Sequence, residues 1–336
     1  IVFLILSFFL FSCQNEYTSF HQEKEIETQI QKEQSEFSLE SIEYLSGLTL
    51  RKTPDLKLLD DITTKIDSAQ KRVYVEVYIF TEKRIKKSLL NAKKRGVEVK
   101  VIFEKNLYLA WNLKNKTFQE LQKSGIEVKY SNSKNYSLNH SKMMIIDDSV
   151  MISTGNYSYS SFKYNREFFL FLENQKLLQT FLEIFEADFA GVKKNIYHNN
   201  LVLSPFSSRT KMEYLLNNAK ESIKIYAHNF SDTNMWNILK SQKTKWVSVE
   251  MIFPDLKKVA SNENEIQDFK ENNISIKILD KPEIHAKVIF VDNRYLYIGS
   301  VNFSPSSIDK NREIWLLIKN PEIVMQIKEL KAYFAK

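Results

Sequence analysis

The chain has one cysteine in 336 residues, Cys13, which excludes an intramolecular disulfide framework. Its longest opening apolar stretch, Ile1 to Ser12, is too short to span a bilayer, which takes about 20 apolar residues. Histidine is scarce, with five in the whole chain. The first residue is Ile1 rather than Met, and no basic stretch precedes the apolar run. Together these two absences predict that N-terminal residues are missing.

What stands at the start reads as the apolar part of a secretory leader, apolar apart from two serines and followed by polar and charged residues directly after Cys13. Leu10-Phe11-Ser12-Cys13 resembles a bacterial lipoprotein cleavage box, although Phe11 is bulkier than the small residue usual there. The resemblance implies lipidation of Cys13 and an exported, membrane-anchored protein in the cell envelope, or a secreted one if the anchor is absent. Residues 14–45 are rich in Gln, Glu, Lys and Ser and lack a long apolar period, which predicts a flexible or partly helical tether after a leader at 1–13.

The body can bury a full core at 43% hydrophobic content, as two domains or one large two-part domain. Residues 21–44 hold seven Glu against two Lys, a balance of −5. With a total of +7 the rest of the chain carries about +12, which favours anions such as phosphodiesters. From residue 50 onward helical and strand-like runs alternate. Leu56–Gln70, Lys83–Arg95 and Phe118–Ser124 have helical spacing; Arg72–Phe80, Val97–Phe103 and Ile126–Tyr130 are β-rich. The series recurs: Lys211–Lys220, Met235–Leu239 and Ile266–Asn272 read as helices, with Ser222–Tyr226, Val247–Phe253 and Ile274–Leu279 as strands. Each half closes with a strand, Arg166–Leu172 or Arg312–Ile318, and a helix, about 175–189 or 322–334. The pattern predicts a duplicated α/β unit with a period near 146 residues, spanning 46–192 and 193–336. Two such units packed about a pseudo-two-fold axis form the expected architecture.

The strongest chemical signal repeats with the same period. His140-Ser141-Lys142 leads to Asp147, and His285-Ala286-Lys287 leads to Asp292. A chance Lys and Asp at both offsets from one histidine is expected on the order of one time in two hundred, so two hits at matching positions are not accidental. After each copy come a polar turn and an asparagine, Asn156 or Asn302, and then Asn165-Arg166-Glu167 or Asn311-Arg312-Glu313. Residues i and i+2 of a strand share a face, so each histidine and its lysine are expected to project together. Asp147 and Asp292 sit at an odd offset and are expected to hold the turn that follows. Thr154 with Asn156, and Ser300 with Asn302, are i, i+2 pairs expected to aim a hydroxyl and an amide at one phosphate. His21, His198 and His228 lack such surroundings and receive no role. A lysine between histidine and carboxylate opposes a metal ion, so no metal or cofactor is expected at this site.

These motifs resemble the phospholipase D superfamily, with its two H-x-K-x4-D sequences, each followed by G-S-x-N and a downstream glutamate. Gly299-Ser300-Val301-Asn302 fits fully, whereas Ser153-Thr154-Gly155-Asn156 has its glycine moved and lies one residue closer to its aspartate. The resemblance covers roughly 50–336 and implies two tandem α/β/α sandwich halves with mixed β-sheets. It also implies a metal-independent phosphodiesterase in which one histidine forms a phosphohistidine and the other protonates the leaving alcohol. By that analogy His140 is the nucleophile and His285 the acid, Lys142 and Lys287 stabilise the phosphoryl oxygens, and Glu167 and Glu313 orient the imidazoles. A phospholipid is the expected substrate of a monomer held at a membrane, and nucleic acid is the alternative, favoured by the basic helix at Lys83–Arg95. An inactive phosphate-binding relative is the third reading. Leu107–Leu113 is an apolar aromatic run, read equally as core or as a lip beside a lipid substrate.

Overall fold

The computed structural model describes residues 37–107, 116–255 and 263–328. Cys13, the leader, most of the tether, Tyr108 to Leu113 and the end of the last expected helix lie outside the described residues. The chain divides into two units, 1–38 and 39–336, and both large sheets lie in the second. Among the described residues no helix is long and apolar enough to cross a membrane. The expected tether ends earlier than residue 45. Ile42 and Leu45 are buried, and Asn200 Nδ2 donates to the Glu43 carbonyl at 2.8 Å.

In chain order the first half contains β1 (Leu48–Lys52), β2 (Arg72–Val77), β3 (Glu98–Phe103), β4 (Glu127–Tyr130), β5 (Lys142–Ile146), β6 (Ser149–Ser153), β7 (Asn165–Arg166) and β8 (Phe168–Leu172). The second contains β9 (Leu201–Ser204), β10 (Ser222–Ala227), β11 (Ser248–Pro254), β12 (Ser275–Leu279), β13 (Glu283–Ile284), β14 (Lys287–Val291), β15 (Tyr295–Gly299) and β16 (Glu313–Lys319). The helices are α1 (Leu56–Ser68), α2 (Lys83–Lys94), α3 (Lys116–Lys123), α4 (Tyr159–Lys163) and α5 (Gln175–Ala190), then α6 (Ser208–Asn217), α7 (Thr233–Thr244), α8 (Glu263–Glu271), α9 (Pro305–Asp309) and α10 (Pro321–Lys328).

Each half builds one seven-stranded mixed sheet, ordered β1-β8-β6-β5-β2-β3-β4 and β9-β16-β15-β14-β10-β11-β12. The duplication therefore holds strand for strand: three parallel strands at one side, an antiparallel hairpin, the closing strand and an antiparallel edge. The edge strands β1 and β9 went unread in the sequence. Both are short, four or five residues long. Alternation along the strands sorts side chains between two cores. Tyr74, Met143, Ile145, Phe168 and Leu170 face a core that also holds Val288, Ile298, Ile314 and Leu316 of the second half, with Phe181 and Phe185 of α5. Val73, Val75, Met144 and Phe169 face away from it and pack with Leu58, Ile62 and Ile66 of α1 and Ile85 and Leu89 of α2. Burial on both faces is why these strands read as continuous apolar runs. The helices start on side-chain caps: Asp55 accepts from the Lys57 and Leu58 amides, and Asn174 from Leu177.

The paired aspartates are structural, but they hold a different turn from the one expected. Asp147 has φ 49° and Asp292 φ 54°. This left-handed step carries each carboxylate back across the antiparallel pairing to the start of β2 or β10. Asp147 accepts from the amides of Gln70, Lys71 and Arg72 at 2.9, 2.7 and 3.0 Å. Asp292 does the same for Lys220, Glu221 and Ser222 at 2.8, 2.8 and 2.9 Å. Burial works to raise the Asp147 carboxyl, yet the three amides outweigh it and hold it below the usual aspartate value of 3.8. A depressed carboxyl contributes stability that is present above its unfolded value and lost as pH falls through its folded one. Asp147→Asn is expected to lower the unfolding free energy by about 2 kcal/mol at neutral pH. The gap to wild type should shrink below pH 3.8, and urea denaturation across a pH series measures both.

Candidate active site

His140 and His285 lie just before β5 and β14 rather than within them, because each backbone there is paired with the other half. The His140 amide donates to the Arg312 carbonyl at 2.9 Å, and the His285 amide to the Arg166 carbonyl at 3.3 Å. Asn139 bridges to Arg312, while β13 pairs in parallel with β7, Ile284 opposite Arg166. The residue after each arginine is the conserved-in-both-halves glutamate of the repeat, so this register brings each glutamate to the opposite histidine. His140 Nδ1 lies 2.9 Å from Glu313 Oε2, and His285 Nδ1 lies 2.6 Å from Glu167 Oε1. The pairs are crossed between halves, an arrangement the sequence left open.

Glu167 and Glu313 are fully buried. Burial works to raise both carboxyls, but the neighbouring histidine outweighs it and each sits below the usual glutamate range. An ionised carboxylate only accepts, so each Nδ1 carries the proton and Nε2 is left for chemistry. Burial pushes His140 down to about 4 against the opposing pull of Glu313, and lowers His285 against Glu167. Lys142 and Lys287 are also buried. Lys142 sits well below an ordinary lysine, and Lys287 is pushed down to about 8, in both cases by loss of water. Each ammonium bonds the carbonyl of its own histidine. Each also bears electrostatically on the other half's histidine, Lys287 on His140 and Lys142 on His285. Two imidazoles and two buried lysines therefore share one place.

The two hydroxyls do not stand where the sequence predicted. Thr154 Oγ1 donates to Glu167 Oε2 at 2.7 Å and accepts from the Phe168 amide, so it fixes the carboxylate. Ser300 is buried, accepts from the Ile314 amide at 3.1 Å and lowers Glu313 by hydrogen bonding. The cause is geometric: both hydroxyls sit on the hairpin strand that pairs with the strand leading out of the glutamate. Asn156 accepts from the Ile79 amide at 3.2 Å, while Asn302 Oδ1 is buried and has no hydrogen-bond partner among the described residues. The displaced glycine of the first copy also has a reason. A Cβ on Gly155 would stand 2.7 Å from Glu167 Cγ, whereas one on Gly299 would stand 2.3 Å from the Ile314 carbonyl oxygen. Each half clears the backbone or side chain that its own glutamate segment brings closest.

Three neighbours of the site were missed. His228 places its ring 4.5 Å from that of His285 and bonds the Ile284 carbonyl through Nδ1 at 3.2 Å. At the matching position of the first half Tyr78 meets His140 edge-on at 4.8 Å. Arg312, buried, donates from Nε to Asp188 Oδ2 at 2.7 Å beside Glu76, whose carboxyl burial pushes up to about 8. Asn139 Nδ2 donates to Glu76 at 2.9 Å, which ties this buried cluster to the backbone next to His140. Their only sequence signal was their offset in the repeat: His228 and Tyr78 each follow the first parallel strand.

Comparison with known proteins follows the geometry. The family described as cardiolipin synthase, PLD-like domain, matches residues 62–189 and again 212–335. A phospholipase D of Rickettsia conorii is 30% identical over 135 residues, 39% of this chain and 64% of that protein. A probable cardiolipin synthase of Bacillus subtilis is 35% identical over 147 residues, 42% of this chain and 29% of that protein. The alignments thus take in less than two thirds of either relative. Among solved structures, the phosphatidylserine synthase of Haemophilus influenzae shares the fold with a TM-score of 0.67 at 13% identity, covering 90% of this chain and 88% of that one. With the family match present in both halves and a doubled His-Lys motif at their junction, the chain belongs to the phospholipase D superfamily.

Proposed function

We propose that the protein is a phosphodiesterase that works through a phosphohistidine and acts on phospholipids, by hydrolysis or headgroup exchange. The observation that carries this reading is the meeting of two crossed His–Glu pairs and two buried lysines in one place. A phosphodiester supplies the anion those lysines lack, and its two ester oxygens suit one nucleophile and one acid. The names of the aligned relatives, a phospholipase D and a probable cardiolipin synthase, favour lipid over other diesters. Helix α2 supports nucleic acid less than its composition suggested, since Arg84 pairs with Asp60 and Lys86 with Glu120.

In the proposed course His140 Nε2 attacks phosphorus, the P–N bond forms and the P–O bond to the alcohol breaks. His285 Nε2 gives its proton to the departing oxygen. Water or an acceptor alcohol then returns a proton to His285 as its oxygen attacks phosphorus, and the P–N bond breaks. His140, pushed down to about 4, is neutral and ready to attack at physiological pH. The course requires His285 to enter as an imidazolium, which Glu167 at 2.6 Å stabilises against the burial that lowers it. The lysines supply the charge that metal ions supply in other phosphodiesterases, so the proposal needs no divalent ion.

Incubation with phosphatidylcholine, cardiolipin and single- and double-stranded DNA in excess chelator tests the reading. Release of phosphatidate from a lipid is expected. Cleavage of DNA alone would overturn the lipid assignment, and activity restored only by Mg²⁺ would overturn metal independence.

The histidine roles separate on an activated diester. Either His→Ala variant should lose nearly all turnover of a natural lipid. On a p-nitrophenyl phosphodiester, whose leaving group departs without a proton, His285→Ala should still form a phosphoenzyme and His140→Ala should form none. The reverse pattern would exchange the two roles.

The anchor expected at Cys13 belongs to the same proposal of an exported enzyme held at a membrane. Full-length protein should enter the detergent phase on phase separation and Cys13→Ala the aqueous phase; identical behaviour would refute anchoring.

A further inference from the structure

The duplication supplies an internal control for every position. After the first parallel strand of each half, two successive amides bond one carbonyl: Thr81 and Glu82 to Tyr157, and Ser231 and Asp232 to Phe303. Glu82 and Asp232 then cap α2 and α7. Four residues past each cap stand Lys86 and Trp236. In the second half the Trp236 ring fills the space beneath its helix, 3.9 Å from Phe269 and perpendicular to it. In the first half Lys86 leaves that space open, as a cavity of about 310 Å³ between α2 and α3, within the size range of about 300–1,000 Å³ in which small ligands bind.

Phe80, Phe103 and Phe118 give it an apolar floor, and Lys83, Lys86 and Lys116 line it together with Glu104 and Glu120, the last paired with Lys86. Lysines placed so can lay their methylenes along an apolar wall and keep the ammonium at the mouth. Two lining residues lead directly to the active site. Tyr78 meets the His140 ring at 4.8 Å, and Glu104 accepts from the amide of Asn139, the neighbour of His140, at 2.7 Å. The aromatic rings are already engaged with one another: Phe118 stacks on Tyr130 at 4.3 Å and 4°, and meets Phe103 edge-on at 5.5 Å. They offer ring edges and C–H surface rather than a free face on which a base would stack.

We propose that this cavity takes an acyl chain of the phospholipid whose phosphate lies at His140 and His285. The inference rests on the lipid reading above and deepens it: the first half selects the chain, at a position where the second half carries Trp236 packed on Phe269. The polar groups among its lining, Lys83 and the Lys86–Glu120 pair, would then lie where an amphiphile changes from apolar to polar.

The test copies the second half into the first. Lys86→Trp should fill the cavity, and Thr117→Trp should fill it from the opposite wall should the first variant fail to fold, as judged by its thermal melt. Initial rates are measured on monomeric dibutyryl, dihexanoyl and dioctanoyl phosphatidylcholines. Wild-type kcat/KM should climb with chain length, and the filled variant should lose about tenfold of that climb, the effect of displacing roughly two methylenes. An unaltered chain-length dependence in a folded variant that still cleaves the lipids would overturn the cavity assignment. So would a variant that changes only the base preference on single-stranded oligonucleotides. Wild-type protein that turns over a p-nitrophenyl diester but no phospholipid of any length would instead sink the lipid reading itself.

Discussion

Neither half completes a histidine–glutamate pair alone. The amide of each is bonded to a carbonyl of the opposite half, and its Nδ1 to a glutamate of the opposite half. A buried carboxylate without its partner costs several kcal/mol, so separating the halves would strand Glu167 and Glu313 together with two buried lysines. The junction and the active site are therefore one set of interactions, and the shared core behind it, with strands of both sheets around α5, holds the register on which they depend.

Within this near-symmetry the two sides differ in ways that chemistry can use. Behind His140 lies the buried cluster of Glu76, Asp188 and Arg312, held to the histidine backbone through Asn139. Behind His285 the matching arginine, Arg166, donates instead to the Thr53 carbonyl at 2.6 Å, and Tyr226 stands where the first half has Glu76. The ring beside His140 is a tyrosine and the ring beside His285 a histidine. The duplicated motifs thus stand in unlike surroundings.

The duplicated layout is legible because a strand buried on both faces reads as an apolar run, as in Phe168–Leu172 and the centre of Glu313–Lys319. The edge strands carry less: β1 alternates and is only half-buried, and the apolar run of β9 is three residues long. Asp147 and Asp292 are expected to hold the turn that follows them, but their carboxylates meet amides at the start of β2 and β10, through a left-handed backbone step that residue spacing does not encode. Thr154 and Ser300 were taken for phosphate ligands because spacing shows which residues share a face, not which partner meets them there.

By itself the sequence determined that two copies of one unit exist, that each donates a histidine, a lysine and a glutamate, and that the glycine is displaced in the first copy. These are local facts, fixed by residue identity and by periods of two and 3.6. Only the tertiary structure decided that the glutamates cross over, that the hydroxyls serve the carboxylates, that His228 joins His285, and that a cavity lies beside Lys86. Each of these depends on contacts between residues far apart in the chain, such as the 173 positions separating His140 from Glu313, and a single sequence carries no record of such distances until both sheets close around their common core.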